Sequence, residues 1–195
     1  MKYGFLFSMI LLLGMIGVRA QTYPGGLVIG EKAPDFTAKD NKGNSISLHQ
    51  LLKKGEVVLI FYRGQWCPYC NKQLSNLNDS LASITTGGTS ILAITPETYE
   101  NVAKTITKTR VGFPIVSDDH LSIMKLYKVN FEVDQSTQEK YKQHGIDFSI
   151  ANGSNGANLP VPATYIIGKD GKIRYVFFNP DYRKRPSVKE IVDHL

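Results

Sequence analysis

EVVLIFYRGQWCPYC, residues 56–70, is the stretch that decides how this chain is read. An apolar run, EVVLIFY (56–62), passes through Arg63-Gly64-Gln65-Trp66 into Cys67-Pro68-Tyr69-Cys70, which holds the only two cysteines of the sequence. A strand that delivers a Cys-x-x-Cys to the start of a helix is suited to thiol redox chemistry. The first cysteine then sits at a helix N-terminus, where unsatisfied backbone N–H groups and the positive end of the dipole favour the thiolate. Cys70 follows one helical turn later, close enough to resolve whatever the sulfur of Cys67 has formed.

Outward from that stretch, the cysteine count bears on what the pair is for. Two cysteines separated by two residues close too small a loop to stabilise a fold appreciably, so the pair is functional rather than a structural brace. Half a zinc site is the competing reading. It lacks a second Cys pair, and His49, His120, His144 and His194 are scattered without ligand spacing, so no metal is expected. No cofactor is expected either.

The first twenty residues set the expected compartment. Lys2 precedes an almost wholly apolar stretch from about Tyr3 to Val18, and Val18-Arg19-Ala20 places small residues at the −3 and −1 positions of a cleavage site. We read residues 1–20 as a secretory signal peptide cleaved after Ala20, with Gly14 and Gly17 loosening the end of the run. The alternative for the same residues is an uncleaved membrane anchor. No cysteine near the junction serves a lipoprotein anchor. The mature chain is expected to be secreted across the inner membrane and to work in the periplasm. Loss of Lys2 and Arg19 lowers the formal charge from +6 to +4. This mildly basic chain shows no basic stripe, zinc-finger spacing or interleaved aromatic motif, so no nucleic-acid partner is expected. Arg183-Lys184-Arg185 reads as a solvated face.

Along the mature chain, strands and helices alternate within one domain, residues 30–195. Residues 35–48 predict a hairpin turning at Asp40-Asn41-Lys42-Gly43, and Ser47-Leu48-His49-Gln50 reads as a capping box. Leu74, Leu77, Leu81 and Ile84 predict a helix from Pro68 to about Ile84, ended by Gly87-Gly88. Thr89 to Ile94 predicts a buried strand, Thr95-Pro96-Glu97 a helix start with proline at its first position, and Phe113 to Val116 a short strand. Asp118 or Asp119 caps a helix through Tyr127. From Phe131 to Leu159 the pattern weakens to a helix around 136–144 and a mobile loop at Asn152-Gly153-Ser154-Asn155-Gly156; this insert reads as a docking place or as a floppy loop. A hairpin of 163–167 and 172–178 and a helix capped by Ser187-Val188-Lys189-Glu190 close the chain.

This order is that of the thioredoxin fold. Ala33-Pro34-Asp35-Phe36, VVLIFYRGQWCPYC and LPVPATYIIGKDGKIRYVFFNPDY (159–182) together resemble the AhpC/TSA redoxins, in their peroxiredoxin-like branch, from about Gly30 to Leu195. The resemblance implies an α/β, thioredoxin-like fold: a central mixed sheet flanked by helices, with an N-terminal hairpin extension. It implies catalytic Cys67 and Cys70. It also implies that Pro162 forms a cis peptide facing the cysteines and leaves the backbone of Val161 free to pair with substrate; the alternative is that Pro160 and Pro162 only rigidify the loop exit. Trp66 is expected to cover the redox pair, or simply to fill the core.

Three positions depart from the peroxiredoxin pattern. Those enzymes typically carry Pro seven residues and Thr or Ser three residues before the reactive cysteine, where Ile60 and Gly64 stand here, and an arginine where this chain has Pro162. Arg63 or Arg183 is the substitute cation, each with the alternative of an ordinary surface charge. Two redox hypotheses remain: Cys67 attacks a hydroperoxide and Cys70 closes the disulfide, or Cys67 attacks a substrate disulfide and Cys70 resolves the mixed species. Either needs a thioredoxin-like or other thiol electron donor. A binding protein with the cysteines locked as an inert disulfide is the third reading.

Overall fold

The structure, a computed structural model, describes residues 21–195, so the expected signal peptide lies outside the described residues. Its order begins with the hairpin β1 (Thr37–Lys39) and β2 (Ser45–Ser47), followed by α1 (Leu48–Leu52) and the central strand β3 (Val57–Phe61). Side chains of a strand alternate between faces. On β3, Val57, Leu59 and Phe61 enter one core with Phe36, Leu48, Tyr127 and Tyr165, while Val58 and Ile60, with Tyr62 just past the strand, enter another with Cys67, Cys70, Leu74 and Leu77. Burial on both faces is why the run is continuously apolar rather than alternating.

After β3 come α2 (Pro68–Asp79), α3 (Leu81–Ile84), β4 (Ser90–Thr95), α4 (Tyr99–Thr109), β5 (Ile115–Ser117) and α5 (Ser122–Leu126). They lead to β6 (Asn130–Glu132), α6 (Gln135–Gln143), α7 (Phe148–Asn152) and β7 (Asn158–Pro160), and the chain closes with β8 (Ala163–Ile167), β9 (Ile173–Phe178) and α8 (Val188–Val192). The main sheet has the order β5-β4-β3-β8-β9. β3 runs parallel to β4 and β4 to β5, whereas β8 lies antiparallel to both β3 and β9, which makes the sheet mixed. The thioredoxin-like architecture and its hairpin extension are as expected.

Local details differ where tertiary contacts compete with local ones. Ser47 makes no capping bond; the free N–H groups of α1 go instead to the Phe36 carbonyl, from Leu48 at 3.2 Å, and to the Asp35 carboxylate, from His49 at 3.1 Å. The helix expected to run to Ile84 breaks at Ser80 (φ −106°, ψ 15°), yet Leu74, Leu77 and Ile84 stay fully buried across the break. Pro96 does not start α4. Thr98 is its N-cap, because the Thr98 N–H donates to the Ala151 carbonyl and the Glu97 carbonyl accepts from Ser117 Oγ.

The weakly patterned insert is the largest correction. β6 and β7 pair antiparallel and close it into a lobe with its own small core of Val133, Phe148 and Leu159. The stretch read as a mobile loop is anchored: Asn155 is buried and its Nδ2 donates to the carbonyls of Pro96 (2.8 Å) and Asp118 (3.0 Å). Asn152 Nδ2 bridges the carbonyls of Gly156 and Asn158. Asp118, one of the two candidate caps, is buried and accepts the N–H groups of Ile123 and Met124 at 3.0 and 2.7 Å.

Candidate active site

Parallel strands β3 and β4 present their carboxyl ends side by side, and the segments that follow them build the site, as is general for α/β sheets. Cys67 is the N-cap of α2, with extended backbone (φ −88°, ψ 109°), and Pro68 opens the helix, where its missing N–H has no partner to lose. The Cys70 N–H points at Cys67 Sγ (3.4 Å), the two sulfurs lie 2.7 Å apart, and both are free thiols. That separation needs little movement to become a disulfide. Cys67 lines a cavity of about 410 Å³ with Trp66, Pro68, Tyr69, Tyr141 and Tyr182; Cys70 lies behind it, fully buried.

At this spacing the two sulfurs share one proton and titrate as a pair. Cys67 is pushed well up, first by its hydrogen bond with Cys70 and then by burial. Burial opposes ionisation of Cys70 as well, but the hydrogen bond from Cys67, the Arg185 guanidinium and the Arg63 backbone N–H outweigh it and bring Cys70 down to about 6. Arg185 Nη2 is 3.2 Å from Cys70 Sγ. The helix terminus favours a thiolate at Cys67 and the Arg185 guanidinium favours charge on the Cys70 side, so the first ionisation belongs to the pair of sulfurs. Transfer of the shared proton across 2.7 Å from Cys67 to Cys70 leaves the negative charge on Cys67, the sulfur that faces the cavity.

Glu97, read from sequence as the start of a helix, turns under the hinge. It is fully buried, its Oε2 accepts the Gln65 N–H at 2.7 Å and its Oε1 has no partner. Burial raises its pKa to about 8, against the opposing Gln65 N–H, and the Cys70 charge adds to the rise. At neutral pH this acid is largely protonated. Gly64 separates it from Trp66: a Cβ there would lie 2.5 Å from Trp66 Nε1 and 2.6 Å from Glu97 Oε1. The hydroxyl residue that peroxiredoxins typically place at this position has no room here.

Arg63 is 4% exposed, so the surface-charge alternative is wrong for it. Its guanidinium lies over the rings of Tyr182, Trp66 and Tyr141 at 4.3, 4.9 and 5.4 Å, and Nη2 donates to the Tyr141 hydroxyl. Its charge lowers the cost of ionising Cys67, though less than the sulfur pair raises it. Arg183, the other candidate, is exposed and paired with Asp181 at 2.8 Å. Trp66 is half-buried, edge-on to Tyr141 (5.4 Å) and Phe148 (6.0 Å), and roofs the cavity beside Cys67.

Pro162 and Val161 are placed differently from expectation. No described peptide bond is cis, so Pro162 is trans. The Val161 N–H is committed to the Val129 carbonyl at 2.8 Å, extending the β6–β7 ladder, and so is not free for a substrate. Pro162 lines a second cavity, which shares Arg63, Thr137, Tyr141 and Tyr182 with the one over Cys67 but does not reach Cys67.

The AhpC/TSA family profile matches residues 29–176. The chain belongs to the AhpC/TSA family. A Mycobacterium tuberculosis protein bearing a provisional peroxiredoxin name is 27% identical over 153 residues, covering 78% of this chain and 86% of that protein. The thiol-disulfide oxidoreductase ResA of Bacillus cereus is 26% identical over 180 residues, 88% of this chain and 86% of ResA. In fold, the crystal structure of peroxidoxin BcpB from Mycobacterium tuberculosis superposes with a TM-score of 0.65 at 21% identity, covering 85% of this chain and 94% of that one. Sequence kinship thus runs to both kinds of thiol oxidoreductase.

Arg185, Glu97, Tyr141 and Tyr182 belong to this AhpC/TSA site but were not singled out from the sequence. For Glu97 a signal existed: it follows the strand parallel to β3, and the carboxyl ends of such neighbours converge. Arg185 looked like one of three basic surface residues. Only the closing turn after β9 brings it to Cys70.

Proposed function

We propose that the protein is a thiol-dependent peroxidase of antioxidant function, in which Cys67 reduces hydroperoxides and Cys70 closes the disulfide. The observation that carries this is the buried Arg63 guanidinium lining the same cavity as Cys67, placed to stabilise charge as it develops on oxygen. The Cys67 thiolate attacks one peroxide oxygen; an S–O bond forms, the O–O bond breaks, and the departing alkoxide takes a proton. The Cys70 sulfur then attacks the sulfenic acid, an S–S bond forms, and water leaves. An external thiol donor, thioredoxin-like or small, exchanges with the disulfide and restores the dithiol. Glu97, protonated and buried beneath the hinge, is a nearby store for a proton in that exchange.

The test is peroxide consumption by purified protein with a dithiol donor. Cys67→Ser is expected to lower turnover by about three orders of magnitude or more. Cys70→Ser is expected to consume about one peroxide per chain and stop as a sulfenic acid that dimedone traps. Retained turnover in Cys67→Ser refutes the assignment.

A second reading, thiol:disulfide oxidoreductase, is favoured by Gly64, which supplies no hydroxyl to orient a peroxide. Wild type that reduces insulin disulfides but consumes no peroxide would establish it. Residues 1–20 support a periplasmic place of action, and N-terminal sequencing of exported protein, expected to begin at Gln21, tests this.

A further inference from the structure

Arg185 stands in the closing turn between β9 and α8 and reaches the sulfur that solvent does not. Its Nη1 donates to the carbonyls of Tyr182 and Lys184, which holds the guanidinium against its own turn, and its Nη2 lies 3.2 Å from Cys70 Sγ. Nε is buried with no hydrogen-bond partner, and no described carboxylate lies within ion-pair distance of this arginine. Asp181, the nearest acid along the chain, pairs with Arg183 instead. Among the described residues, Cys70 is the one group within hydrogen-bond distance of Arg185 that can bear an opposite charge.

The other groups that face Cys70 bring no fixed charge near neutral pH. Cys67, at the start of α2, shares its proton with Cys70; the Tyr62 hydroxyl, past the end of β3, is pushed well up by burial; Glu97, beyond β4, is buried and protonated up to about 8. The Arg63 guanidinium acts on Cys67 and offers Cys70 only its backbone N–H. A buried ion pair stabilises only while both charges exist, and removing one leaves the other uncompensated. In the dithiol, the negative charge of the sulfur pair meets the Arg185 guanidinium. In the disulfide neither sulfur can ionise, and a neutral sulfur is a weak acceptor, so Arg185 loses its counter-charge. The contact therefore stabilises the reduced form more than the oxidised one, and a couple whose reduced form is selectively stabilised is the more oxidising.

We propose that Arg185 sets the redox balance of this site: by pairing with the sulfurs only in the reduced form it makes the Cys67–Cys70 disulfide easily reduced, so that a weakly reducing monothiol serves as electron donor. This rests on the thiol-oxidoreductase reading and names the class of donor which that reading left open. In the step, one donor sulfur attacks Cys67 and the Cys67–Cys70 bond breaks; a second donor sulfur then attacks the first, and a donor disulfide leaves. Two electrons pass from the donor sulfurs to the pair. Of the two donor protons, one stays on the pair and the other goes to solvent, so reduction becomes more favourable as pH rises through the first ionisation of the pair.

The test equilibrates the purified protein in mixtures of reduced and oxidised glutathione between about pH 5 and 7.5, below the ionisation of Glu97, and counts the dithiol by alkylation after acid quench. Glutathione is expected to reduce wild type, with an equilibrium constant that rises by about tenfold or more across this range. Arg185→Gln is expected to favour the disulfide by about fivefold to tenfold at the upper pH and by less than about twofold at the lower, where the pair is protonated in both proteins. Arg183→Gln removes a neighbouring charge that is exposed and already paired with Asp181, and is expected to change neither value. Should Arg185→Gln fail to fold, the wild-type curve still decides, because two ordinary thiols show no pH dependence in this range. A flat wild-type curve, equal constants for wild type and Arg185→Gln at the upper pH, a shift of the same size at the lower pH, an equal shift in Arg183→Gln, or a disulfide that glutathione leaves intact overturns the proposal. Peroxide turnover with an unchanged balance in Arg185→Gln defeats this inference and leaves the function standing; the expected shift without peroxide or disulfide turnover does the reverse.

Discussion

The hinge at residues 63–67 and the lobe from 130 to 160 meet over the same sulfur atom, but they are held by different forces. The hinge is specified by close-range demands. β3 is buried on both faces, Gly64 fits where a Cβ would strike Trp66 and Glu97, and Pro68 begins α2 with Cys67 as its cap. The lobe has a core of few residues and little apolar patterning; it is held by a two-stranded ladder and by amides such as Asn155 that bond carbonyls far away in sequence. A site can thus be half written in local sequence and half assembled from segments that look like loops when read alone.

The comparison is tested most strongly at Glu97, where hinge and sheet meet. Its folded pKa of about 8 lies above the ordinary 4.5. Below pH 4.5 both states are protonated and the contribution to stability is whole; between the two values the folded state keeps a proton that the unfolded chain has released, so stability falls as pH rises, and the loss is complete above 8. Wild type minus Glu97→Gln should lose on the order of 3 kcal/mol between pH 5 and 8 in urea titrations. Cys70, held at about 6, contributes the opposite slope at higher pH, but it is common to both proteins and largely cancels in the difference. A flat difference would mean that Glu97 is hydrated rather than buried.

Gly64→Ala comes next. The new methyl overlaps Trp66 Nε1 and Glu97 Oε1, and overpacking of this kind should cost about 2 kcal/mol by denaturation and misplace the roof of the cavity. A neutral result would show that the hinge relaxes freely and that the absence of a hydroxyl there has no steric cause.

On the lobe side, Asn155→Ala leaves the Pro96 and Asp118 carbonyls without their donor and should cost about 1–2 kcal/mol. Hydrogen exchange should show faster opening of residues 131–159 with β3 and β4 unchanged. Uniform acceleration would merge lobe and sheet into one cooperative unit. The smallest effect is expected from Arg185→Gln. Removing the guanidinium 3.2 Å from Cys70 should raise the first ionisation of the sulfur pair from about 6 by about one unit, read as the pH dependence of alkylation by iodoacetamide.

The strand, the helix start, the paired sulfurs and the closing hairpin could be read directly because each depends on neighbours within a few residues: burial on both faces, the geometry of a helix end, one turn of spacing, a four-residue turn. The same holds for the family, whose motifs are local strings. The location of charge is another matter. That Arg185 reaches Cys70, that Arg63 is buried while Arg183 is exposed, and that Glu97 lies under the hinge depend on segments 30 to 120 residues apart brought together by the sheet order. Ionisation responds to distance in space and to the loss of water, neither of which is encoded in spacing along the chain. For this reason the pair of sulfurs was evident in the sequence, and the guanidinium that favours their ionisation emerged only after folding.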